Sequence, residues 1–126
     1  MNPPNWNLEG DGKTVTVTFP TSPIIKLKLG VKEIEELLRH LGNFRRLMKP
    51  EVPIQFPPGQ KVMAVPDPTW ATEVDAMVGS TLLHLRDPRY GWLHYVIPRD
   101  EARKLAGFLQ THGDTLPPLP PQERLN

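Results

Sequence analysis

Two stretches of the chain carry the same apolar pattern at one constant offset, and this repetition restricts the possible folds more than any other feature. In "IIKLKL" (Ile24–Leu29) apolar and polar positions alternate, with Ile25, Leu27 and Leu29 on one face. The following "VKEIEELLRHLGNFRRLM" (Val31–Met48) sets Ile34, Leu37, Leu38, Leu41, Phe44 and Met48 on one helical stripe. The step that carries Ile25 to Leu93 also carries Leu27 to Tyr95, Leu29 to Ile97, Ile34 to Ala102, Leu37 to Leu105 and Leu41 to Leu109. The strands ahead of them are "KTVTVTF" (Lys13–Phe19) and "TLLHL" (Thr81–Leu85). They match Val17 to Leu83 and Phe19 to Leu85, a step shorter by two, because the second turn, "RDPRYG", is longer by as much.

A strand with one apolar face and a helix with one apolar stripe each need a cover. The pattern therefore predicts an α+β domain: one antiparallel sheet of five to seven strands with two helices on one face, built from two ββα units. A single domain is expected over 1–113, with a ββα unit at 13–49 and a Pro-rich connection at 50–60. Extra strands follow at 61–78 (Lys61–Val65 and Thr69–Val78), then a second ββα unit at 79–113. Gly113 is placed to end the second helix, and 114–126 form a Pro-rich tail. The prolines, 16 in all, supply these boundaries, since proline avoids the interiors of helices and strands. Ahead of the first unit, "WNLEGDGKTV" reads as a short strand and a Gly/Asp turn.

Composition removes several classes of function. There is no Cys, hence no disulfide framework, thiolate metal site or cysteine nucleophile. The net charge is +1, whereas a protein working mainly on phosphates usually carries a larger basic excess. No signal segment and no apolar run long enough to span a membrane is present, so the expectation is a soluble, cytoplasmic protein read from its initiator Met. Phosphate-binding glycine loops, nucleophile elbows, HExxH and EF-hand loops are missing from the sequence.

The one constellation resembling chemistry lies in "LLHLRDPRYGWLHYVIP" (Leu82–Pro98). Burying Leu83, Leu85, Leu93, Tyr95 and Ile97 together requires Leu85 to pair with Leu93, which sets His84 opposite His94 and Arg86 opposite Trp92. Two facing imidazoles would be metal ligands or an acid–base pair, with Glu73 or Asp75 as the nearest candidate carboxylates. A zinc site needs more than two ligands, however. The equivalent positions in the first unit are Thr18 and Lys26, ordinary outer-face residues, so neither metal nor cofactor is expected.

The same face offers Trp92, His84, His94 and Arg86 with Leu82 and Val96, and the hairpin tip adds Arg89 and Tyr90. Trp and Arg on an uncovered sheet suit a contact surface, unless the tail or the linker folds over it. The expected function is thus a small non-enzymatic binding protein acting through protein–protein contacts, including contact with a second copy of itself as a homodimer. The alternative is a nucleic-acid-binding protein using Arg45, Arg46 and Lys49 at the basic end of the first helix, together with Arg89. Those helix charges also complement the helix dipole and form pairs such as Glu35–Arg39. A metal-dependent enzyme using His84 and His94 ranks third. The tail's two PxxP stretches lack the basic flank of a docking motif, since Glu123 stands there.

Overall fold

The computed structural model describes residues 2–57 and 59–115. Among the described residues six strands and two helices follow one another as β1 (Asn5–Leu8), β2 (Thr14–Phe19), β3 (Ile25–Gly30), α1 (Val31–Leu47), β4 (Trp70–Asp75), β5 (Ser80–Asp87), β6 (Gly91–Pro98) and α2 (Arg99–Thr115). The strands form two separate three-stranded antiparallel sheets, β1-β2-β3 and β4-β5-β6. The chain divides into two units, Met1–Phe56 and Pro57–Asn126. This corrects the single sheet of five to seven strands. Apolar periodicity reports which face a strand buries and says nothing about whether two hairpins share an edge.

The repeat is larger than the hairpin and helix. β1 pairs with β2 through Asn5–Thr18, Trp6–Val17, Asn7–Thr16 and Leu8–Val15. Each pair recurs at a constant step in β4–β5, as Ala71–His84, Thr72–Leu83, Glu73–Leu82 and Val74–Thr81. Val15–Leu29 and Val17–Leu27 recur as Thr81–Ile97 and Leu83–Tyr95. The two helices are 17 residues each, and the step from Val31 to Arg99 at their starts equals that from Leu47 to Thr115 at their ends. Each unit is therefore βββα, and the added first strand supplies Trp6 and Leu8 to the apolar face of one sheet and Trp70 and Val74 to that of the other.

Several boundaries differ from the sequence-based expectation. Lys61–Val65 forms no strand, and the strand expected within Thr69–Val78 is confined to Trp70–Asp75. α2 runs through Gly113 to Thr115, so the tail expected from 114 begins with two helical residues. Gly113 is not among the glycines with positive φ, so the left-handed turn that would have stopped the helix there is not made. The remainder of the tail, with both PxxP stretches, lies outside the described residues. In the first turn Asp11 Oδ1 accepts from the amides of Lys13 and Thr14 at 2.8 and 3.1 Å, and Gly12 adopts φ 68°. That Asx geometry explains why "EGDG" is a hairpin turn and not a cation loop.

Neither unit closes a core over its own sheet. Val17 is the one buried apolar residue among those described. Leu83, Leu85, Leu93 and Ile97, expected to lie buried beneath Leu105 and Leu109, are only half-buried, and Tyr95 is exposed. The cause is the junction. β3 ends at Gly30 and α1 starts at Val31; β6 ends at Pro98 and α2 starts at Arg99. Most βα connections use about 2–6 residues to turn the helix back over the sheet, and here there are none. Ile34 is still half-buried near the sheet, but exposure rises along α1 from 38% at Leu37 and Leu38 to 60% at Leu41, 64% at Phe44 and 73% at Leu47. α2 repeats this gradient, from half-buried Ala102 through Leu105 at 40% to Phe108 and Leu109 at 63%. Each helix is held at its root, and the apolar stripe of its outer half is open.

Candidate functional site

The outer face of the second sheet gathers the side chains singled out from sequence. β5 pairs with β6 through His84–His94, Leu85–Leu93 and Arg86–Trp92, the register that common burial of the leucines requires. His84 Nδ1 lies 2.8 Å from His94 Nδ1, the rings edge-to-face with centroids 5.0 Å apart. Glu73 reaches the same face from β4, and its Oε2 is 3.1 Å from His84 Nε2. Its pairing with Leu82 sets it two residues from the partner of His84 (Ala71), within diagonal reach of a long side chain. Sequence alone named Glu73 but could not fix that register.

The hydrogen bonds dictate the proton positions. A Glu73 carboxylate can only accept, so His84 Nε2 carries the proton and donates to it. Neutral His84 then has Nδ1 as its acceptor, so His94 donates from Nδ1, and His94 Nε2 is left as an acceptor. One added proton can be held on His94 Nε2 with the Nδ1 contact unchanged, or on His84 Nδ1 if His94 changes tautomer. A second would set two N–H groups against each other and break the contact. The His84 side chain is 19% exposed and that of Glu73 is 65% exposed, so the carboxylate end of this chain is in water.

As metal ligands the two Nδ1 atoms converge on one point, but Glu73 sits on the far nitrogen of His84. That is where a carboxylate orients a histidine, not where it joins it as a ligand. No group of three or more His, Cys, Asp or Glu that could hold a metal ion occurs among the described residues.

Around the pair the face is apolar. Trp92 is 45% exposed and Val96 64% exposed, with half-buried Leu82 between Glu73 and Val96 in the same cross-strand row. Arg86 is exposed opposite Trp92, its backbone amide bonded to the carbonyl of Thr69 at 2.9 Å. In the first unit the equivalent rows are Asn5–Thr18–Lys26 and Asn7–Thr16–Lys28, and Thr16 donates to Glu9. Within the paired strands that face is polar, and Ile24, at the position equivalent to Trp92, is exposed just ahead of β3.

The hairpin tip is built by Asp87, the one buried charged residue among those described. Its Oδ1 accepts from the amides of Arg89 and Tyr90 at 2.7 and 3.4 Å, and the Arg89 guanidinium clamps both oxygens, Nε at 3.2 Å and Nη2 at 3.0 Å. The Arg89 side-chain hydrogen bond, aided by the amides, holds the Asp87 carboxyl below its ordinary value, and Asp87 in turn raises Arg89. Arg89 also lies 5.0 Å over the ring of Tyr90, and Gly91 closes the turn at φ 82°. The guanidinium is thus engaged within the turn, and the tip's Asp and Arg make one device that sequence reading treats as separate charges.

The other basic residues of the nucleic-acid alternative, Arg45, Arg46 and Lys49, sit in the first unit. Arg45 and Arg46 occupy the last turn of α1, and Lys49 pairs with Glu51. Arg39 pairs with Glu36 at 3.9 Å, next in sequence to the Glu35 expected to take it. No helix among the described residues is long and apolar enough to cross a membrane. No family model matches the chain, and neither a curated protein nor a solved structure does.

Proposed function

We propose that this chain is a non-enzymatic interaction protein that works through protein–protein contacts, with the outer face of the second sheet as one contact surface. The observation that carries this reading is the open apolar patch of Trp92, Leu82 and Val96 around an ordered histidine pair. Such a patch combines an aromatic anchor with polar groups already held in place, and Arg86 stands opposite the indole. His94 Nε2, left as an acceptor, can take a hydrogen bond from a partner's amide or hydroxyl without rearrangement.

The nucleic-acid alternative has less support. Arg89 is clamped by Asp87 and Lys49 by Glu51, which leaves Arg45 and Arg46 from the set proposed to contact phosphates. A photo-crosslinking residue placed at Trp92 separates the readings. Adducts with protein, unchanged by nuclease, are expected. Adducts that vanish on nuclease treatment would transfer the face to nucleic acid.

A further inference from the structure

We infer that the inner, apolar faces of both sheets are closed by a second copy of this chain, each helix laying its open outer half on the equivalent sheet of the other copy. Each unit carries two unsatisfied surfaces of matching chemistry. On the first sheet the cross-strand rows Trp6–Val17–Leu27 and Leu8–Val15–Leu29 form a continuous apolar face, with Trp6, Leu8 and Leu27 exposed. On α1 the outer half of the stripe, Leu41 and Phe44, is exposed, as is Met48 just past the helix end.

The sheet needs a helix and the helix needs a sheet, yet the unit cannot use one to cover the other. β3 passes into α1 without a connecting residue, so the strand direction sends the outer half of the helix away from its own sheet. The second unit has the same direct junction at Pro98–Arg99 and the same exposure gradient. A two-fold partner resolves this in one operation. Under such symmetry, helix on sheet in one direction implies helix on sheet in the other, and every contact is made twice.

The amount of surface agrees. The accessible surface of the chain is 11649 Å², whereas two separately folded units of half its 14.3 kDa mass would expose about 8,200 Å² together. Part of that difference lies on the segment between α1 and β4, where Ile54 is 96% and Met63 83% exposed, and part on the open sheet faces and helix halves. The difference is about 3,400 Å² per chain, and permanent homodimers bury about 2,000–5,000 Å² per pair. This interface lies on the face opposite His84, His94 and Trp92, so it does not depend on the outer-face reading, and loss of Trp92 crosslinks leaves it untouched.

Because the chain has no cysteine, the contact can be trapped directly. Leu27→Cys and Phe44→Cys are made in separate chains, refolded together and oxidised, and the products are mapped by peptide mass spectrometry. A disulfide joining position 27 of one chain to position 44 of the other is expected as the main product. Failure of the mixed disulfide to form overturns the proposal. So does a 27–44 disulfide that closes within one chain when both cysteines are placed in it. For the unmodified protein the thermal midpoint should rise by roughly 3 °C per tenfold increase in concentration, and a concentration-independent midpoint contradicts a dimer that closes the core.

Discussion

His84 and His94 face each other across β5–β6 with their Nδ1 atoms 2.8 Å apart, and Glu73 on His84 Nε2 orders the protons along the row. Nitrogen-detected NMR should therefore find His84 as the Nε2–H tautomer and His94 as the Nδ1–H tautomer. Glu73→Gln weakens that order, because an amide can donate to His84 Nε2 as well as accept from it. The opposite tautomers in the unmodified protein would contradict the row.

How much of this was legible beforehand differs from residue to residue. The His84–His94 pairing was readable because Leu83, Leu85, Leu93 and Ile97 must share a face, and a one-residue slip would scatter them. The starts of both helices and the end of α1 to within one residue were readable from period and offset, whereas the end of α2 was not, because Gly113 was read as its stop. Glu73 was not, since β4 alternates Trp70, Thr72 and Val74 on one face with no turn of fixed length to tie its register to β5. β1 is only four residues long, too short for alternation to be decisive, although Trp6 and Leu8 precede Thr72 and Val74 by the same interval as Val17 precedes Leu83. The division into two sheets and the openness of the helices depend on the direct strand-to-helix junctions, and periodicity does not report those.

Asp87 supplies a pH test whose sign is fixed by its bonding. Its folded-state value is held down by Arg89 and the turn amides, so its contribution to stability is present above the ordinary aspartate range near about 3.9. That contribution is lost as pH falls through the depressed folded value. Carboxyl carbon shifts should show Asp87 titrating below an ordinary aspartate, and Arg89→Ala should move the midpoint upward. A midpoint unaffected by that substitution would remove Arg89 as the cause.

Val17 and Val96 make a matched pair for stability. Val17 is 1% exposed and sits in the central strand between Trp6 and Leu27, so Val17→Ala should cost about 2–3 kcal/mol. Val96 lies on the open outer face, and Val96→Ala should change stability by less than about 0.5 kcal/mol. Denaturant unfolding of the two variants checks both values. Equal costs would contradict the assignment of inner and outer faces.

Leu105, half-way along the α2 gradient, distinguishes a self-contained unit from one completed by another chain. If α2 closed a core on its own sheet, Leu105→Ala would destabilise equally at every concentration. With its stripe shared between copies, the cost should be largest in dilute solution, where the pair dissociates. Unfolding curves at two concentrations a hundredfold apart give the comparison, and parallel losses at both would favour the self-contained unit.

The most direct measurement is the mass of the unmodified protein in solution, by light scattering across a concentration series. A particle of twice the 14.3 kDa chain mass is predicted, and Phe44→Glu, placed on the open half of α1, should shift the population toward single chains. A single-chain mass at every concentration, in a protein that unfolds cooperatively, would contradict the claim that the open apolar faces belong to a second copy.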